Sequence, residues 1–262
     1  MEQVFQHFRK DEQPFIEQVS GWIRDTEDRY APKLTDFLDP RQQFIVQSIA
    51  GQNEDIITTA YGKFADAERK RMLISPSYFV PSDQDYLITM FEINYPSKFV
   101  KLEHPDILGS LMSIGLDRSK FGDIRVEDNR IEIAVEKEIA DFVRANVTSI
   151  GKSKVQLKEL DHDHLFLPNS ETWVEESHTV SSMRLDTIIA SLFNVSRQKA
   201  SLLIHSGKVK VNWAYREQPS FELHESDLLS IRGFGRIKIG IIEGRTKKDK
   251  IRLQIGRIEP KM

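Results

Sequence analysis

The sequence predicts an α+β multidomain protein, and three observations predict it. First, the hydrophobic period changes twice along the 262 residues. It is mostly helical at the start, then runs strand, helix, strand, strand, helix, strand from about residue 84, and ends in two short helices followed by strands. Second, a chain of this length can bury two or three separate cores. Third, charge is divided unevenly: residues 180–262 hold 16 Lys and Arg against 8 Asp and Glu, leaving 21 against 32 in the first 179 residues. The overall charge of −3 hides this split, and only the C-terminal third has the balance of a polyanion binder. The expected division is a mainly helical domain at 1–76, an α+β domain at 77–160, a linker at 161–181 and a basic domain at 182–262.

In the first segment, Pro14 precedes Phe15, Ile16, Val19 and Ile23, and "DPRQQFIVQSIAG" offers Asp39 as a cap and Gly51 as a stop. "DIITTAYG" reads as a strand. "FADAERKRMLI" reads as a helix whose charges form a solvated face.

The central elements are "DYLITMFEI", "PDILGSLMSIG", "FGDIRVE", "RIEIAVE", "KEIADFVRANV" and "SKVQLKEL", with a hairpin at "EDN". Their order is ferredoxin-like and resembles an RNA recognition motif. The third strand, "IEIAV", carries no aromatic residue, so base stacking on this sheet is not expected; Tyr86 and Phe91 are the nearest aromatics. "LGSLMSIGLDRSKFGDI" lacks the Gly-Lys-Ser/Thr ending of a nucleotide loop, and its Arg118 and Lys120 read as loop cations first and as RNA contacts second. The alternating residues of "DHDH", Asp161 to His164, point to opposite faces of an extended chain, which disfavours a metal site.

In the last segment, Ser181 or Ser182 can cap a helix whose stripe is Leu185, Ile188, Ile189 and Leu192, closed by Asn194. Ser196 can cap a second helix that buries Ala200, Leu203 and Ile204 and stops at Gly207. Strands follow at "KVKVNW", "DLLSIRGF", "RIKIGII" and "KIRLQIGRI", the last two forming a hairpin around "EGRTKKD". Arg184 before the first helix and Arg197 at the start of the second suit phosphate contacts beside helix N-termini. A DNA-reading helix needs a longer face of base-edge readers than "SRQKASLLIHSG" provides.

Composition narrows the chemistry. With no cysteine there is no disulfide, thiolate metal site or cysteine nucleophile. No apolar run approaches the roughly 20 residues that span a bilayer, and "MEQVFQHFRKDEQ" does not read as a secretory signal, so a cytoplasmic protein is expected. No motif sets His7, His178, His205 or His224 beside a nucleophile or acid. The expectation is a non-enzyme with no cofactor, metal, membrane or small-molecule substrate.

Arg184, Leu185 and Asp186, then Ser196, Arg197 and Ala200, then Ile204, Gly207, Val209, Val211 and Asn212 carry a resemblance to the S-four-type RNA-binding domain. Two positions depart from it. Trp213 stands where glycine is usual, and "HESD" replaces a glycine-aspartate turn. Across the whole chain, "ADAERKRMLISP", "HPDILGSLMSIGLDRSKFGDI", the terminal domain and "RGFGRIKI" resemble the YlmH family. That resemblance implies binding to ribosomal RNA and tRNA on the large ribosomal subunit, in rescue of stalled translation with nascent-chain tailing; genes of the family often lie in cell-division clusters. The RNA contacts expected are Arg184, Leu185, Asp186, Ser196, Arg197, Lys199, Ala200, Lys208, Lys210 and Asn212 near the helices, with Arg245, Lys247 and Lys248 at the hairpin tip. The domain also occurs in pseudouridine synthases and tyrosyl-tRNA synthetases, but the former need a large catalytic domain after it and the latter nucleotide-site signatures that "HPDI" and "KSKV" do not match. The remaining alternative is an RNA-tethered scaffold whose acidic part binds proteins, among them division proteins.

Overall fold

The computed structural model describes residues 8–161, 164–168 and 173–258, and divides into two compact units, Met1–Ser170 and Glu171–Met262. The first unit opens with α1 (Gln13–Arg29), with Pro14 in its first turn and Ile16, Val19 and Ile23 buried. After β1 (Lys33–Leu38), α2 (Pro40–Ala50) starts in a capping box, in which Asp39 Oδ1 accepts from the Gln42 amide at 2.9 Å and Gln42 Oε1 accepts from the Asp39 amide at 3.0 Å. β2 (Ile56–Tyr61) and β3 (Lys70–Pro76) complete a sheet of order β1-β3-β2.

The N-terminal segment is therefore helical on one side only, and the helix expected over "FADAERKRMLI" is a loop followed by the central strand β3. The reason is burial on both faces. Met72 and Ile74 pack beneath the helices, while Arg71, 3% exposed, reaches across to the Leu87 carbonyl and the Glu138 carboxylate. A strand covered on both faces loses the two-residue alternation that marks a half-buried one, and its charges are paired instead of solvated.

The central part is β4 (Ile88–Asn94), α3 (His104–Ser113), β5 (Phe121–Glu127), β6 (Arg130–Glu136), α4 (Ala140–Asn146), a small ribbon of β7 (Ser149–Ile150) with β8 (Ser153–Lys154), and β9 (Gln156–Glu159). The sheet runs β5-β6-β4-β9, antiparallel throughout, which is the ferredoxin-like arrangement. "SKVQLKEL" is thus divided between the ribbon and the fourth strand. Phe91, Ile93, Ile131, Ile133 and Val135 face Ile107, Leu111 and Val143 of the helices.

The second unit contains β10 (Val174–Val180), α5 (Leu185–Leu192), α6 (Arg197–His205), β11 (Val209–Val211), β12 (Ala214–Tyr215), β13 (Leu228–Ile231), β14 (Gly235–Arg245) and β15 (Ile251–Ile258). Its six-stranded sheet has the order β10-β15-β14-β13-β11-β12. The expected linker is partly structural here: residues 174–180 pair along their whole length with β15, and Val180 is buried. Leu185, Ile188, Ile189 and Leu192 of α5 close the core over Ala200, Ile204, Val209, Ile237, Ile239, Leu253 and Ile255.

Candidate nucleic-acid interface

Asp186 is the centre of the site. It lies in the first turn of α5, is 4% exposed, and receives both expected arginines. Arg184 donates through Nε to Oδ1 and through Nη2 to Oδ2, each at 3.0 Å, and Arg197 donates through Nη2 to Oδ2 at 2.7 Å. Burial pushes the Asp186 carboxyl up, but hydrogen bonds from Arg184 and Arg197 outweigh it and hold the group at about 2. Two guanidiniums therefore share one carboxylate, which leaves the trio cationic. The side chain of Arg184 is 43% exposed and that of Arg197 60%, so a buried anion orients two cations that both reach solvent.

The helix starts differ from expectation at α5. Neither Ser181 nor Ser182 caps it: Arg184 is the N-cap, and the Leu185 and Asp186 amides donate to the Phe221 and Pro219 carbonyls at 2.8 and 3.0 Å. Those two amides are consumed by the protein, so at α5 the arginines and not the helix N-terminus are offered to an anion. At α6 the expected cap is present, with Ser196 Oγ accepting from the Lys199 amide at 3.1 Å.

Of the remaining candidates, Leu185 and Ala200 are fully buried in the core, which rules out side-chain contact with a ligand. Asn212 is a turn anchor: it donates to Asp227 Oδ1 at 2.8 Å and accepts from the Leu228 amide at 2.9 Å. Sequence reasoning missed that buried Asp227, together with the Phe221 and Pro219 carbonyls, positions this region; the unusual "HESD" turn was the signal for the first. Lys199 and Lys208 are exposed, and Lys210 lies over the Tyr215 ring, 4.5 Å from its centroid. The hairpin-tip residues form a separate group. Lys208 accepts through its carbonyl from Arg232, before β14, whereas Arg245 ends that 11-residue strand, roughly 30 Å further on. There Arg245 pairs with Asp249 at 2.9 Å, and Lys247 and Lys248 are exposed.

In the first unit the sheet face opposite the helices is closed. Met90 and Ala134 lie against Phe37, Phe64 and Ala67, with Leu160 and Phe166 packed beside them. Phe91 and Tyr86 are buried, 0% and 5% exposed, and are not stacking platforms. Arg118 and Lys120 serve this seam: Arg118 donates to the Phe121 and Gly122 carbonyls, and Lys120 to Asp36 at 2.8 Å and Glu136 at 3.1 Å. Burial beside that lysine still pushes the Glu136 carboxyl up to about 7. Of "DHDH", His162 and Asp163 lie outside the described residues, while His164 binds the buried Glu132 at 3.0 Å. Among the described residues no group of three or more His, Cys, Asp or Glu is placed to hold a metal, and no helix is long and apolar enough to cross a membrane.

Comparison with known proteins matches each part. Residues 11–79 match the YlmH N-terminal family, residues 81–164 a family described as a candidate RNA-binding domain in YlmH, and residues 183–229 the S4 domain. The chain is 44% identical over 257 residues, 98% of its length and 99% of the relative's, to "Ribosome-associated protein quality control protein P2" of Bacillus subtilis (strain 168). The chain belongs to the YlmH family. A solved YlmH structure, "Cell division protein ylmH from Streptococcus pneumoniae", shares 33% identity at a TM-score of 0.53, over 59% of this chain and 94% of that one. The S4 match holds the Arg184–Asp186–Arg197 cluster and ends before β14, so the basic hairpin lies beyond it.

Proposed function

We propose that this YlmH-family chain is a non-catalytic RNA-binding factor of the ribosome. Its C-terminal unit grips structured ribosomal RNA or tRNA on the large subunit, and the protein acts in the rescue of stalled translation. The carrying observation is the cluster in which Asp186 holds Arg184 and Arg197 at the start of α5 and α6 within an S4 domain. Planar guanidiniums held by a carboxylate but open to solvent suit the phosphate oxygens of a folded backbone, and they fix register without reading bases. The name of the Bacillus relative supports the ribosomal setting. Crosslinking in cells, with sequencing of the bound RNA, tests this. The reading expects crosslinks in large-subunit RNA or tRNA that fall sharply in Arg197→Ala; crosslinks spread over messenger RNA would reject it.

The name of the pneumococcal structure and the acidic first 179 residues favour a second reading, an RNA-tethered scaffold for division proteins. Pull-down after nuclease treatment separates the two. A ribosome-bound factor loses its main partners, whereas a scaffold keeps them.

A further inference from the structure

We infer that the central domain makes an RNA contact of its own, through the end of its sheet and not through its face. There Phe99 takes an unpaired base while Lys98, Lys101, Lys152 and Lys154 take the backbone. Residues 81–164 match a candidate RNA-binding domain, and the inference adds where on that domain the RNA would sit; it rests on the reading that the chain binds RNA.

The sheet face that an RNA recognition motif commonly uses is filled here by Phe37, Phe64 and Phe166, so a ligand of this domain must bind elsewhere. Phe99, 88% exposed, is the most exposed aromatic ring among the described residues. The loop is fixed on both sides: Tyr95 and Val100 pack against the core, Leu102 is 5% exposed, and the Phe99 and Val100 amides donate to the Pro96 carbonyl at 3.0 and 3.2 Å. The ring is thus presented to solvent by neighbours that are held.

Topology brings a second set of lysines to the same end. Asn94, the last residue of β4, pairs with Gln156, the first of the antiparallel β9. The 95–103 loop leaves the sheet where the β7–β8 ribbon, carrying Lys152 and Lys154, enters it, and α3 packs against β7. Lys98, Lys152 and Lys154 are exposed, and Lys101 is 3.7 Å from Glu103 with both side chains largely in solvent. Glu127 and Asp128 of the β5–β6 turn lie at this same end of the sheet but on the opposite side of β4 from β9, since β6 runs antiparallel to β4 with Glu132 facing Glu92. An exposed ring among lysines, on a part of the chain that is otherwise acidic, is complementary to a single-stranded polyanion with a stackable base.

The test uses the full chain and two probes, an RNA hairpin with an unpaired loop carrying 2-aminopurine and the same duplex without the loop. Phe99→Ala should weaken the looped RNA by at least about 5-fold, abolish quenching of the loop fluorophore and leave the duplex unchanged, while Phe99→Trp retains the quenching. Arg197→Ala should weaken both probes. If Phe99→Ala binds the looped RNA within twofold of the parent, or loses both probes equally, the inference is overturned, and the exposed ring is left as a protein contact. If Arg197→Ala is silent while Phe99→Ala is not, the proposed function of the C-terminal unit fails and this inference stands. Binding of neither probe by the parent protein would overturn both.

Discussion

Asp186 decides how the cationic pair is presented. Its carboxyl sits at about 2, against an ordinary value of 3.8, so the folded chain favours the ionised form. A depressed carboxyl contributes stability that is present above its unfolded value and lost as pH falls through the folded one. Asp186→Asn should therefore cost on the order of 1 kcal/mol near neutral pH, with the deficit shrinking as pH falls from about 4 toward 2. Urea unfolding of both proteins across that range measures it, and a deficit independent of pH would contradict the assignment. RNA affinity should also fall in this variant, although its net charge becomes more positive. The two departures noted in the sequence have a backbone meaning: Trp213 and Ser226 stand at φ 64° and 69°, in the left-handed region that glycine adopts without strain. Ser226 is exposed, so Ser226→Gly removes strain of about 1–2 kcal/mol against a chain-entropy cost of about 0.5–1 kcal/mol. Its melting temperature should rise by a few degrees, and a fall would show that the hydroxyl has a structural role.

Among the elements, those with one buried face were legible in the sequence. The stripe of α5, the Ser196 cap of α6 and the strand and helix order of the central domain follow from residues within one turn or one pleat of each other. β3 was not legible, because the arginines in it and just before it find their partners far away in the chain: Arg71 meets Glu138, and Arg69 meets the Phe37 and Phe121 carbonyls. The same holds for the site. Spacing singled out Arg184, Asp186 and Arg197 as a set, but only the fold shows that Asp186 is the hub and that Leu185 and Ala200 are core. The closing of the central sheet face also depends on distant residues. A methyl group added to Gly122 would lie 2.7 Å from a carbon of the Phe37 ring and 2.8 Å from the Ala134 side chain, both nearly or fully buried. Gly122→Ala should thus destabilise the first unit by about 1–3 kcal/mol, since neither neighbour can retreat. Thermal unfolding checks this, and unchanged stability would mean that the seam is looser than described.

At the scale of the whole molecule, the acidic and basic parts of the sequence correspond closely to the two units, and the boundary has an experimental consequence. Cutting at residue 181 would remove β10, whose seven residues pair with β15, so the binding fragment must begin near Glu171. Residues 171–262 should retain most of the affinity for duplex RNA, and residues 1–170 should bind the duplex at least about tenfold more weakly, a difference of about 1.4 kcal/mol. Filter binding of both fragments tests this, and equal affinities would refute the division of labour. The central claim is that the C-terminal unit holds phosphates at two separated places, the Asp186 cluster and the hairpin tip. Arg197→Ala with Lys248→Ala removes one cation from each and leaves Asp186 paired with Arg184. The most direct measurement is the slope of log affinity against log salt for structured RNA. The double variant should show a slope shallower by about 1.5–2 and a similar weakening of every structured RNA. An unchanged slope, with preference lost for one RNA alone, would contradict it.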